Sequence, residues 1–188
     1  MLGEFPSPLQ VVYLGISGVL HPSRTLYRAL LDRSPEEDGH REYEATSVLA
    51  QALRGWPNAR IVLTSTLPWR DGITAVLLNL GPDVAIRVLG FTFADLTAKA
   101  SLGPRGQPLG RADYWRHTKA EIVRLHVGWM RPDAWIAVDD ETLLWTEVEC
   151  RQHFVHVDGC KGLLDPIAQD RLITKLRGNF GEPKSQIA

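Results

Sequence analysis

Short apolar runs alternate along this chain with longer stretches whose apolar residues recur at helical spacing. That alternation predicts parallel strands joined by crossover helices. The first run, Val11-Val12-Tyr13-Leu14, stops at Gly15. A loop-rich stretch follows, punctuated by Pro22, Ser34-Pro35 and Asp38-Gly39. Tyr43 to Arg54 reads as a helix, because Val48, Leu49, Ala52 and Leu53 fall on one face. Ile61-Val62-Leu63 is the second strand, Ile73 to Leu80 a short helix ended by Gly81-Pro82, and Ala85 to Leu89 a third, weaker strand. Residues 101–111 form a Gly/Pro-rich surface connection.

Ala112 to Val127 carries the strongest helical pattern, with Ile122, Val123 and Leu125 on its apolar face and Asp113 in its first turn. Trp135 to Val138 is a strand running into Asp139-Asp140, and Phe154 to Val157 is the last strand. Asp165-Pro166 supplies an N-cap and first position for a closing helix that ends near Gly178. The expectation is one α/β domain over residues 1–178, a three-layer Rossmann-like parallel sheet of about five strands with helices on both faces. A polar, frayed tail occupies residues 179–188.

Composition changes this picture little. The chain has 188 residues and a net charge of -1, and 44% of its residues are hydrophobic. That is enough for a core without disulfides, and the two cysteines, Cys150 and Cys160, are too few for a disulfide framework. The charge balance gives no footprint for nucleic acid or an anionic membrane, and the six tryptophans are scattered rather than striped with basic residues. No run spans a bilayer and no leader pattern opens the chain, so the expected location is the cytoplasm.

The chemistry-bearing residues sit at strand ends. Leu14-Gly15-Ile16-Ser17-Gly18-Val19-Leu20-His21-Pro22 follows the first strand, Thr64-Ser65-Thr66 the second, and Asp139-Asp140-Glu141 a later one; Lys119 lies on the helix between. In this order they resemble the haloacid dehalogenase (HAD) superfamily. The likeness is to its small, minimally capped branch, the HAD domains of Swiss-Army-knife RNA-repair proteins, and runs from about Gln10 to Arg177. It includes the late turn Asp158-Gly159-Cys160-Lys161-Gly162-Leu163, and Ser23 to Glu42 replaces any large cap.

In that family the first strand ends in Asp-x-Asp-Gly-Val-Leu. Gly18, Val19 and Leu20 match, but Gly15 and Ser17 stand at the aspartate positions. The first aspartate attacks phosphorus and binds magnesium; the second is the general acid and base. Gly15 can form no phosphoenzyme, and Ser17 has no acidity near neutral pH. The resemblance implies phosphate binding by Thr64, Ser65 and Lys119, with the choice among Thr64, Ser65 and Thr66 open. It implies a weakly held Mg2+ on Asp139 and Asp140.

Other readings stand beside these. Asp139-Asp140 can cap a helix near Thr142. Gly15 and Gly18 can serve a tight turn with positive φ, or Gly15 can leave space for an anion held by the amides of residues 16–18. His21 is the one replacement acid or base near the loop. Cys150, His153, His156 and Cys160 have the chemistry of zinc ligands, but residues three apart on a strand face opposite ways. Three functions follow: a phosphatase-fold protein that binds a phosphorylated ligand or a protein partner without covalent catalysis; a Mg2+-dependent phosphohydrolase using metal-activated water; or an interaction module with a vestigial pocket.

Overall fold

The computed structural model describes residues 8–93 and 114–184. Its five strands, β1 (Gln10–Leu14), β2 (Ala59–Leu63), β3 (Val88–Phe91), β4 (Ala134–Asp139) and β5 (Phe154–His156), form one parallel sheet in the order β3-β2-β1-β4-β5. Strand β1 is central, with Leu14 level with both Leu63 and Val138. The next residue of each strand, Gly15, Thr64 and Asp139, therefore reaches the carboxyl edge side by side. Two bonds extend the ladder there, Gly15 N–H to the Val138 carbonyl and Thr64 N–H to the Leu14 carbonyl, both 2.9 Å.

The strands are apolar on both faces, as a sheet covered on both sides requires. Val12, Leu14, Ile61, Leu63, Ile136, Val138 and Val155 join one buried cluster. It is covered by α2 (Thr46–Leu53), α4 (Ile73–Asn79), α5 (Gly81–Ala85) and α8 (Pro166–Phe180). Val11, Tyr13, Val62, Ala137 and Phe154 form the opposite cluster, covered by α6 (Lys119–Met130). Further helices among the described residues are α1 (Arg24–Leu31), α3 (Leu67–Asp71) and α7 (Glu147–Gln152), with 3-10 turns at Pro35–Asp38 and Gly162–Leu164. Among the described residues, no helix is long and apolar enough to cross a membrane.

Several boundaries move from their sequence positions. The helix expected over Ala112 to Val127 begins at Lys119. Thr118 caps it: its backbone N–H donates to Glu121 Oε2 at 2.8 Å, and Glu121 N–H returns to Thr118 Oγ1 at 3.3 Å. Thr118-x-x-Glu121 is a capping box, a stronger start signal than the acidic residue placed earlier in the first turn. Asp113 and the loop at 101–111 lie outside the described residues. The strand expected at Ala85 to Leu89 is displaced to Val88–Phe91, because Gly81-Pro82 starts a further helical turn instead of ending the structure. Proline in a first turn loses no helical hydrogen bond. The helix expected from Tyr43 starts at Thr46, after Tyr43 takes a left-handed φ of 59°.

Helix α8 runs past Gly178 to Phe180, and the segment after it is docked. Trp56 Nε1 donates to the Gly181 carbonyl at 2.8 Å, Gln10 Nε2 to the Phe180 carbonyl at 3.0 Å, and Lys184 N–H to the Gly55 carbonyl at 2.8 Å. Residues 185–188 lie outside the described residues.

One buried polar pair gave no sequence signal. Tyr13 on β1 and His126 on α6 meet with their hydroxyl and Nδ1 3.0 Å apart. Burial lowers the pKa of His126 to about 4, so at neutral pH the imidazole is uncharged and accepts from the hydroxyl. The unfolded chain binds this proton near pH 6.5 and the folded one only near 4, so stability falls as pH drops through that window. His126→Gln removes the titration. The stability difference between wild type and variant, measured by urea unfolding, should shift by about 2 kcal/mol toward the variant between pH 6.5 and 4.

Candidate functional site

The site is built where β1, β2 and β4 end. Asp139 is buried, with 4% of its surface exposed. Its Oδ1 accepts the Glu141 N–H at 3.1 Å and its Oδ2 accepts from Thr64 Oγ1 at 3.3 Å. The acidic pair therefore does not cap a helix near Thr142: Asp139 closes its own turn, and α7 is capped by Thr146.

At Gly15 the constraint is space rather than backbone torsion. Its φ is not in the left-handed region, whereas Gly18 has a φ of 80°. A Cβ added at Gly15 would lie 2.5 Å from Asp139 Oδ2 and 3.0 Å from Val19 Cγ2. The Asp139 carboxylate thus occupies the room that a first-strand side chain would take. The same logic holds one layer out for Asp140. A Cβ at Gly18 would meet Asp140 Oδ2 at 2.2 Å, and one at Gly159 would meet the same oxygen at 2.5 Å. Two glycines distant in sequence form a cradle for one carboxyl group.

The late turn closes against this loop. Gly162, with a φ of 57°, has no space for a Cβ, which would fall 2.4 Å from the Val19 carbonyl oxygen. That carbonyl accepts the Leu163 N–H at 2.8 Å, and the Gly159 carbonyl accepts Ser23 N–H at 2.7 Å. Of the amides at residues 16–18, that of Gly18 is already engaged, donating to the His21 carbonyl at 2.8 Å.

Lys119 enters from the first turn of α6. Its backbone N–H is capped by Glu141 Oε1 at 3.0 Å, and its Nζ donates to the Thr64 carbonyl. The Tyr114 hydroxyl donates to that same carbonyl. Burial pulls the ammonium toward its neutral form, but the charge of Asp139, with Tyr114 and Glu141, outweighs this and holds its pKa above the usual value. Ser65 is buried, and its Oγ accepts the Leu67 N–H at 3.2 Å, which starts α3 after Thr66. The expected phosphate-side residues Thr64, Ser65 and Lys119 are thus gathered with Asp139 and Asp140. Their polar groups are largely engaged with one another and with backbone.

His21 and Ser17 sit differently. Ser17 is exposed. His21 is buried, accepts the Tyr43 N–H on Nδ1 at 3.2 Å, and packs its ring on Tyr43. Burial lowers its pKa, which keeps it neutral as that acceptor role requires. Of the zinc-like group, His153 stacks on Trp135 with ring centroids 4.2 Å apart and its Nδ1 lies 3.0 Å from the Trp135 carbonyl. Among the described residues, no three His, Cys, Asp or Glu side chains are grouped to hold a metal. Sequence reading assigned no role to Tyr114, Glu141 or Gly159. Glu141 stood beside a named acidic pair and Gly159 inside a named turn, so proximity was the available signal.

The buried acid pair has an electrostatic consequence. Burial, then the neighbouring charge of Asp139 and the hydrogen bond between the two, pushes the Asp140 pKa up to about 7. Two carboxylates this close share a proton more readily than both ionise. The unfolded chain releases the Asp140 proton near pH 4, so the folded state loses stability as pH rises from there to about 7. In metal-free buffer Asp140→Asn, which keeps the shape of the cradled group, should be more stable than wild type by about 1–2 kcal/mol at pH 7.5. Thermal melts should show that gap closing by pH 4. Gly15→Ala should cost about 1–3 kcal/mol by overpacking. In an Asp139→Ala background it should cost less, a coupling that a double-mutant cycle measures.

The comparisons with known proteins agree with this architecture. The model of the HAD domain in Swiss Army Knife RNA repair proteins matches residues 11–168. No curated protein and no solved structure matches the chain. The matched span starts in β1 and ends in α8, taking in all five strands of the sheet and every residue of the acid cluster, and the chain therefore belongs to the HAD-domain family of Swiss Army Knife RNA repair proteins.

Proposed function

We propose that this chain is a non-catalytic member of its family that binds a phosphorylated ligand or a protein partner at the carboxyl edge of the sheet. One observation carries the reading: the Asp139 carboxylate lies in the space beside Gly15, where covalent phosphoryl transfer would need a nucleophile. Glycine supplies no attacking atom. A carboxylate already bonded to Thr64 and to the Glu141 amide is not a free replacement. Phosphate recognition is supported by the convergence of the Ser65 hydroxyl, the Thr64 hydroxyl and the Lys119 ammonium on one strand-end corner. Ligands of open α/β sheets bind at such edges.

A second reading, a Mg2+-dependent phosphohydrolase, is favoured by the raised pKa of Asp140, since closely paired acids mark cation sites as well as buried dyads. The donor set fits a loosely held ion: Asp139 and Asp140 would hold Mg2+ and water would complete its shell, as this cation tolerates few protein ligands. Bound there, it would supply a more acidic water. Lys119 would balance phosphate charge, Thr64 and Ser65 would orient phosphate oxygens, and the Gly18 and Gly159 cradle would fix Asp140.

The two readings part in one assay. p-Nitrophenyl phosphate and a panel of phosphorylated metabolites, each with Mg2+, should show no turnover. Turnover abolished by Asp139→Asn would overturn the first reading and support the second. Inorganic phosphate should raise the Tm of wild type by more than that of Lys119→Gln, the signature of a ligand bound to the folded state at this corner. A pure interaction module would show neither response.

A further inference from the structure

A second charged recess lies at the opposite rim of the sheet, where β2 and β3 begin. Its volume is about 410 Å3, and its walls carry Arg54, Arg60, Arg87, Asp83, Pro57 and Ile86. Arg54 follows the last residue of α2, Arg60 is the second residue of β2, and Arg87 directly precedes β3. Three guanidinium groups and one carboxylate share the recess, so its local charge is positive while the chain as a whole carries -1.

The arginines are not there to neutralise acids. Among the described residues, Arg54 and Arg60 form no salt bridge, and the side chain of Arg60 makes one long bond, to the Pro57 carbonyl at 3.5 Å. Arg87 is anchored through Nη1 alone, to the carbonyls of Trp56 at 2.9 Å, Ala59 at 3.3 Å and Pro57 at 3.4 Å. That anchorage leaves its Nε and Nη2 donors uncommitted. Burial, then the charge of Arg60, lowers the pKa of Arg87, and the opposing charge of Asp83 offsets this only in part. A fixed guanidinium fork flanked by two further cations is the arrangement that holds phosphate oxygens. The exposed side chain of Ile86 (82% of its surface) and Pro57 add an apolar lip.

We propose that this recess binds a small phosphate-bearing ligand, a pyrophosphate or a phosphate ester of mononucleotide size, independently of the acid cluster at the other edge. The recess has the volume of a small-molecule site. A polynucleotide would instead need an extended basic stripe, which the overall charge does not suggest.

Isothermal titration of the full chain with inorganic pyrophosphate tests this. Lys119→Gln, which silences the phosphate corner at the other edge, should still bind, and adding Arg54→Gln with Arg60→Gln to it should weaken binding at least ~10-fold while leaving the fold intact, since both side chains lie outside the core. Asp83→Asn, which removes the only acid in the recess, should tighten binding several-fold, a gain that a structural role would not produce. Absence of heat and of any Tm shift at about 10 mM pyrophosphate would overturn the proposal. So would binding that disappears with Lys119→Gln alone, or that survives both arginine changes in the Lys119→Gln background. An oligonucleotide that binds far more tightly than its mononucleotide would overturn the small-ligand assignment.

Discussion

The structure turns on one carboxylate. Asp139 is buried at the end of β4, and the lack of a side chain at Gly15 is what lets it lie against β1. Its two oxygens tie β2, through Thr64, to the turn that carries Glu141. Glu141 in turn caps α6, and α6 delivers Lys119 back to the Thr64 carbonyl. A buried charge is tolerated only when paired and hydrogen-bonded, and each of these contacts helps meet that requirement. Removing any one leaves a charge or a dipole without its partner in a region shielded from water.

The glycines around this carboxylate are shaped by packing as much as by torsion. Gly15 makes room for Asp139 with an ordinary backbone, while Gly18 and Gly159 make room for Asp140 from two directions. Glycine and acid are thus complementary pairs across the site. A carboxylate restored on β1 would have to displace the one now lying there. The bare Gly15 on β1 and the inward position of the Asp139–Asp140 pair form one coherent packing arrangement.

The sheet and its two covered faces were legible because strand periodicity and crossover spacing are local signals. Val12 and Leu14 go to one face and Val11 and Tyr13 to the other, as alternation demands. Helix starts were legible only where capping was weighed above charge: Thr118 with Glu121 marked the true start of α6, and an acid further upstream drew attention from it. The candidate acids, hydroxyls and lysine did converge, since all follow strand ends or sit on a helix facing them. The direction of each side chain was not legible. That Asp139 fills the space at Gly15, that His21 holds the Tyr43 amide, or that Gly159 cradles Asp140 depends on contacts between residues 19 to 124 positions apart. The Tyr13–His126 pair shows the same limit, because a lone histidine within an apolar helical stripe reads alike whether exposed or buried.

The order of the sheet also bears on synthesis. Strand β1 emerges first and sits in the middle, yet one of its two neighbours, β4, begins only at Ala134. Until that segment has left the ribosome, one edge of β1 and an apolar row including Val11 and Tyr13 have no partner. A nascent chain of this length is open to pairing with other edges, and parallel, long-range pairing is slow. The central position that fixes the acid cluster so firmly in the finished protein leaves the same strand longest without its second neighbour while the protein is being made.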